Sequence, residues 1–265
     1  MKELTNTTLD LPIWILNLER DVEKRQFMKN RLNSLGLNFE FITAINGNTL
    51  SEEDLSVYSK TFAVRDFGRE LTPGELGCAI SHIRMWQKLV DSEHGEALIL
   101  EDDVLIGWAL IQVLNNRDKL PTDYQHLNLS TKARQQPKGE IITDIYRASN
   151  YLERPYSTEA YLITKSGAQK LIDLVEPLYM PIDNFISIAG LVSYGVFPRV
   201  VVSADIPGTI GRRWDNMPKV TFGQKKWRQF KQILKAVAIF FGASKESLIK
   251  AHWKLNKIEE KLSQK

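Results

Sequence analysis

One cysteine, Cys78, stands in the 265 residues, so no intrachain disulfide can form and a cysteine-rich metal site is excluded. That scarcity fits a reducing compartment. No uninterrupted apolar run reaches the roughly 20 residues of a membrane-spanning helix. The opening stretch MKELTNTTLD is polar and lacks the apolar core of a secretory signal. A cytoplasmic location is expected on these grounds. The chain shows no internal repeat, no low-complexity linker and no recognised nucleic-acid motif, so no nucleic-acid partner is expected.

What is present is ordinary for a globular chain with one sizeable core: 43 % hydrophobic and 25 % charged residues. The net charge of +3 hides an asymmetry. Residues 221–265 hold eleven Lys and Arg against three Glu, a net +8, which leaves −5 on residues 1–220.

The pattern of elements is α/β. Ile13 to Leu16 form a buried strand, and DVEKRQFMKNRLNSLG follows as a helix. Asp21 favours its start, Met28, Leu32 and Leu35 share a face, and Gly36 is a stop. NFEFITAING is a second strand closing on Asn46-Gly47. The order strand–helix–strand is that of a parallel α/β sheet. SEEDLSVYSK has the capping chemistry of a short helix. LTPGELGCAISHIRMWQKLVDS begins with turn chemistry at Pro73-Gly74 and is an amphipathic helix with Ile80, Ile83, Trp86 (or Gln87) and Val90 at helical spacing. ALILEDDV and YQHLNLS are strands, and YSTEAYLITKSGAQKLIDLV is a strand passing into a helix. YGVFPRVVVSADI is a late strand centred on Val200 to Val202. One domain over 1–220 with a helical appendage over 221–265 is expected.

LILEDDV drives Glu101, Asp102 and Asp103 to the end of an apolar strand, where they repel one another. Ligands of open α/β sheets sit at such strand ends, and carboxylates there are costly unless a cation balances them. Mg²⁺ or Mn²⁺ on a diphosphate meets that need, since both prefer oxygen ligands. The competing reading is a solvated acidic turn. If the extended pattern continues, Glu101 and Asp103 point to one side and Asp102 to the other.

ILNLERDVEKRQFM, FITAING, LTPGELGCAISHIRMWQKLV, ALILEDDV, AYLITKSGAQKLI, and MPID followed by FPRVVVSADI together resemble glycosyltransferase family 25. These are the lipooligosaccharide sugar transferases that include bacterial β-galactosyltransferases. The resemblance runs from Ile13 to about Arg213, and GELGCAISH followed closely by LILEDDV is its most specific pair. It implies a nucleotide-sugar fold of the GT-A type with a mixed, mainly parallel sheet, a UDP-sugar donor such as UDP-galactose, and inversion at the anomeric carbon. It makes the acidic triplet the metal and diphosphate motif, with Asp103 the main ligand of Mn²⁺ or Mg²⁺ and Glu101 or Asp102 assisting.

The same resemblance places Asn17 and Arg20 on the donor, beside a helix start where backbone N–H groups favour phosphate. Arg25 reads as either a phosphate grip or a solvated helix charge. Ala44 and Gly47 of AING would then lie against the nucleoside. Glu75, Ser81 and His82 are candidates for donor or acceptor contact, His82 more readily as a satisfied helix histidine than a metal ligand. Cys78, among small apolar residues, reads as a core thiol.

An inverting transfer needs one general base for the acceptor hydroxyl. Asp183 of MPIDNF is the candidate, with Asp205 and Glu159 as substitutes, and a helix N-cap is its other reading. Arg212, or its neighbour Arg213, is placed to close over the diphosphate, with a solvated pair as the alternative.

In the tail, Trp227, Phe230, Leu234, Val237 and Phe241 recur at helical steps, and Leu248, Ala251, Leu255, Ile258 and Leu262 repeat the pattern. Lys-rich faces on such helices suit a peripheral contact with the inner membrane, where the implied lipid-linked oligosaccharide acceptor sits. Packing of the apolar stripes on the body is the alternative. Against the enzyme stands a non-catalytic, transferase-like protein that binds carbohydrate or a partner. Another UDP-hexose (glucosyl) transferase, a nucleotidyltransferase and a phosphodiesterase are rivals within the enzyme class.

Overall fold

A computed structural model describes residues 10–136 and 138–204, all within the first of the chain's two units, Met1–Gly211. Arg212, Arg213, Asp205 and the basic tail lie outside the described residues.

The chain begins as its periodicity requires. Strand β1 (Ile13–Asn17) is buried throughout, and helix α1 (Val22–Ser34) returns to the parallel strand β2 (Glu40–Thr43). Asp21 takes the N-cap position of α1 without a side-chain capping bond, and Gly36 follows the helix in the left-handed region at φ +67°. Helix α2 (Glu52–Ser56) starts with a capping box from Ser51 and Asp54. The short α3 (Lys60–Phe62) leads to α4 (Pro73–Asp91), itself capped by a Thr72–Glu75 box with proline at its first position.

Strands β3 (Glu96–Glu101) and β4 (Val104–Leu105) flank the acidic turn, and helix α5 (Trp108–Leu114) follows. Strand β5 (His126–Asn128) is next, then the hairpin of β6 (Glu140–Ile141) and β7 (Arg147–Ser149). Strand β8 (Ala160–Thr164) passes into α6 (Lys165–Leu174), followed by α7 (Ile182–Ile188), β9 (Ser193–Phe197) and β10 (Val202–Ser203).

Eight strands make one sheet in the order β2-β1-β3-β8-β5-β9-β7-β6, and β10 pairs with β4 apart from it. Three of its seven pairings are parallel and four antiparallel, so the sheet is mixed and the expected parallel majority is absent. The cause is local. Strands β8 and β7 run against their neighbours, which connections other than strand–helix–strand crossovers permit.

Side chains alternate across the sheet. Leu98 and Leu100 join Ile13, Ile15, Met28, Leu32 and Leu110 on one face. Ala97 and Ile99 join Trp14, Trp86, Leu89, Tyr161, Leu171 and Phe185 on the other. The buried face of α4 is shifted from the expected one. Leu76, Ala79, Met85, Trp86 and Leu89 are buried with Ile80, whereas Ile83 and Val90 are only half-buried.

The late strand also differs. Ladder pairing ends at Phe197, before Pro198, which has no N–H to donate. Val200 and Val201 are buried but outside any strand, and both donate their N–H to the Leu129 carbonyl.

Candidate active site

The fold brings several strand ends to one edge. Strands β1 and β3 are parallel, so Asn17 and Glu101 end side by side. Strand β8 is antiparallel to β3, so its beginning arrives at the same edge, and Glu101 N–H donates to the Glu159 carbonyl at 2.8 Å. Asn128, at the end of β5, pairs opposite Tyr161.

Strand β3 stops at Glu101, and Asp102-Asp103 form a turn. The expected alternation therefore fails beyond Glu101. Asp102 and Asp103 share one partner, Lys24 of α1, whose Nζ lies 3.1 Å from Asp102 Oδ1 and 3.4 Å from Asp103 Oδ2. Asp102 Oδ2 also accepts a 2.7 Å bond from Asn17 Nδ2. Asn17 in turn donates to the Asp21 carbonyl and accepts from Arg25 Nη1. Asn17 thus orients Asp102 from within the protein. Arg25 is engaged by Asn17 and by the Phe41 ring, 4.1 Å from its guanidinium carbon.

Burial foremost raises the Asp102 and Asp103 carboxyls above the ordinary range, and the Glu101 charge adds to the rise at Asp103. Burial works to lower Lys24, but the charges of Asp103 and Asp102 outweigh it and hold the ammonium above its usual value.

Glu101 faces the α4 side. Its Oε1 accepts a 2.6 Å bond from Thr158 Oγ1 and lies 3.7 Å from His82 Nε2. His82 is fully buried, and its Nδ1 is 2.8 Å from the Tyr161 hydroxyl, which also accepts from Trp86 Nε1 at 3.0 Å. Indole can only donate, so the Tyr161 proton is directed to His82 Nδ1. In the neutral ring the imidazole proton then sits on Nε2, facing Glu101. Burial works to raise Glu101, but His82 and Thr158 outweigh it and leave the carboxyl below the ordinary glutamate range.

The donor atoms of Cys78, His82 and Glu101 lie within 4.8 Å of one another. Tyr161 directs the Nε2 proton of His82 into that space, so this set does not present a ready imidazole lone pair.

The other anticipated residues divide. Arg20 is exposed beside Asp21, at 3.9 Å. Ala44 donates its N–H to the Asn17 carbonyl, and Ser81 Oγ accepts from Ile45 N–H while donating to the Gly77 carbonyl. Gly47 and Gly77 allow that loop to lie on α4, because a Cβ at Gly77 would stand 2.5 Å from the Ile45 carbonyl oxygen. Ser81 therefore shapes the loop.

Glu75 is held by a two-point ion pair with Arg69 and by its capping box. Burial works to raise its carboxyl, and those bonds prevail, leaving it low. Asp183 is buried at the second position of α7. Pro181 occupies the N-cap, so Asp183 is not the cap. It lines a cleft with Asn128 and Ser157, and Ser157 is the neighbour of Thr158, which contacts Glu101. Glu159 is half-buried, and burial, followed by the Glu101 charge, raises its carboxyl.

Lys24 and Thr158 went unanticipated. Lys24 had a signal, because Lys24, Met28 and Leu32 stand four apart and the last two are core residues. Thr158 had none, since its contact depends on β8 running antiparallel.

A hard divalent cation fits the donor set. Glu101, Asp102, Asp103 and Glu159 gather at one edge with a single lysine in direct contact among the described residues, and three of the four carboxyls are raised. The Lys24 ammonium already marks a cation position between Asp102 and Asp103.

Known proteins share this arrangement of sequence. A "Glycosyltransferase 25 family member" of Aedes aegypti is 32 % identical over 66 % of this chain and 30 % of its own length. "Procollagen galactosyltransferase 2" of Mus musculus is 29 % identical over 66 % and 30 %. The chain thus spans under a third of the length of these relatives. The solved inositol-1-phosphate CTP transferase from T. maritima covers 74 % of this chain and 89 % of its own, at 14 % identity and a TM-score of 0.38, too weak a likeness to bear on the site. Residues 10–186 match the model of glycosyltransferase family 25 (LPS biosynthesis protein), two thirds of the chain, so this chain belongs to that family.

Proposed function

We propose that the chain moves galactose from UDP-galactose to a lipooligosaccharide or lipopolysaccharide core acceptor, with inversion at the anomeric carbon. The carrying observation is the carboxylate surplus around Lys24, where Asp103 and Glu159 are raised partly by the charge of Glu101. A donor diphosphate with Mn²⁺ or Mg²⁺ offsets that surplus. The galactosyl choice draws on the relatives named procollagen galactosyltransferase, and the acceptor on the family's description.

In this reading Asp103, assisted by Glu101, would hold the metal, whose chemistry is to neutralise the diphosphate. Asn17 and Lys24 orient Asp102 and Asp103. Thr158 and His82 keep Glu101 ionised. Asp183 accepts the proton of the acceptor hydroxyl as its oxygen bonds to the anomeric carbon, and UDP leaves with the electron pair of the broken bond. Arg20, Ala44 and Gly47 line the donor side, and Arg212 closes over the diphosphate. The basic stretch 221–265 brings the enzyme to the cytoplasmic face of the inner membrane. Among the described residues no helix is long and apolar enough to cross a membrane.

The test is calorimetric titration of UDP and UDP-sugars with and without Mn²⁺, followed by product analysis. Release of UDP with the sugar on an acceptor supports the reading. Failure to bind any nucleotide sugar with any divalent ion, or full activity in Asp103→Ala, overturns it. Release of a sugar phosphate would point to a phosphodiesterase.

A further inference from the structure

A cleft of about 270 Å³ opens at the end of β5 beside α7. Its wall includes His126, Asn128, Tyr151, Ser157, Asp183 and Ser187. Pockets for drug-sized ligands run from about 300 to 1,000 Å³. This one suits a single sugar ring and is too small for a whole nucleotide sugar.

The lining chemistry is specific. His126 Nδ1 is paired with Ser193 Oγ at 2.8 Å, while its buried Nε2 has no hydrogen-bond partner among the described residues. A buried polar atom in that state is stabilised by a polar ligand. Burial pushes the His126 imidazole down to about 4, so the ring is neutral near pH 7. No lysine or arginine is among the described residues lining the cleft, and Asp183 is its one carboxylate. A single carboxylate set among neutral polar groups suits an uncharged polyol. Tyr151, Ile186 and Leu191 add an apolar side for the C–H face of a pyranose. The Tyr151 ring is fixed by its hydroxyl, which donates to the Tyr194 carbonyl at 2.7 Å.

We propose that this cleft is the acceptor subsite and takes a neutral hexose, presenting one of its hydroxyls to Asp183. The acceptor role rests on the transferase reading above; the binding of a neutral hexose does not. Ser157 of the cleft wall is followed in the chain by Thr158, whose hydroxyl bonds Glu101 of the acidic edge.

Saturation-transfer NMR on the full chain without donor tests this, using methyl β-galactoside, methyl α-glucoside, galacturonate and inorganic phosphate as probes. At least one neutral glycoside should bind, with Kd on the order of millimolar. Ser187→Phe, which fills the cleft, should weaken it by about tenfold or more. Ser187→Arg should confer galacturonate binding that the parent lacks. Circular dichroism checks that each variant folds. Absence of binding by both neutral glycosides, equal binding of galacturonate or phosphate, or parental affinity in both folded variants overturns the proposal. If UDP-sugars bind and neutral glycosides do not, the subsite alone falls. If glycosides bind and no UDP-sugar does, the acceptor role falls with the transferase reading.

Discussion

Lys24 Nζ lies 3.1 Å from Asp102 Oδ1, and each of these side chains is only 11 % exposed. The pair supplies from inside the protein part of the positive charge that the acidic triplet demands. Replacing Lys24 by Met leaves two carboxylates uncompensated. Breaking a buried pair from one side costs about 3–5 kcal/mol, and the partial exposure of Asp103 places this case at about 2–4. The melting temperature without metal should fall, and the rise on adding Mn²⁺ should exceed that of the parent, because the ion takes over the lost charge. An unchanged metal-free melting temperature would show that the pair contributes nothing.

Asp103→Asn should separate stability from binding. Burial and the Glu101 charge disfavour the Asp103 anion, so removing it should leave the metal-free protein at least as stable. Transfer should fall by about a hundredfold or more, as when one transition-state stabilising contact is lost. Melts without metal and calorimetry with UDP and Mn²⁺ read the two effects independently. A variant that binds UDP with Mn²⁺ as the parent does would remove Asp103 from the metal site.

Gly77→Ala tests the seating of the 44–47 loop on α4. The added methyl would stand 2.5 Å from the Ile45 carbonyl oxygen and 2.7 Å from Gly47 N, both backbone atoms. Overpacking of this kind costs about 1–3 kcal/mol. The denaturant midpoint should drop and UDP affinity with it. A drop in the midpoint with unaltered UDP affinity would detach this loop from the donor.

Tyr161→Phe removes the hydroxyl shared by Trp86 Nε1 and His82 Nδ1. Both atoms lose a partner in a dry core, at a cost of about 1–3 kcal/mol for each unsatisfied group. Urea unfolding should show the loss. A midpoint equal to the parent's would mean that water replaces the hydroxyl.

His126 predicts an acid-sensitive fold. Its imidazole titrates near 6.5 when unfolded and at about 4 when buried. Between those values the unfolded chain binds the extra proton, so stability is complete above pH 6.5 and is lost as pH falls toward 4. The change amounts to about 3 kcal/mol. His126→Gln should flatten the slope of unfolding free energy in that window. An equal slope in both proteins would assign the acid sensitivity elsewhere.

Several features followed from sequence alone because they depend on neighbours along the chain. The β1–α1–β2 unit, the capped start of α2, and the arrival of Glu101 at a strand end come from period, turn chemistry and capping. The family followed from the order of motifs. The tertiary structure decided what depends on distant partners. Glu75 is bound up with Arg69, and Ser81 with the Ile45 loop, since the positions of Arg69 and Ile45 are set by packing. Asp102 and Asp103 meet at Lys24, where alternation would have turned them to opposite sides, because the strand ends at Glu101. Lys24 reaches both aspartates, and Thr158 reaches Glu101, only because α1 and β8 dock against β3. Local spacing put the acids at the edge; the folded packing chose which cation and which hydroxyl meet each of them.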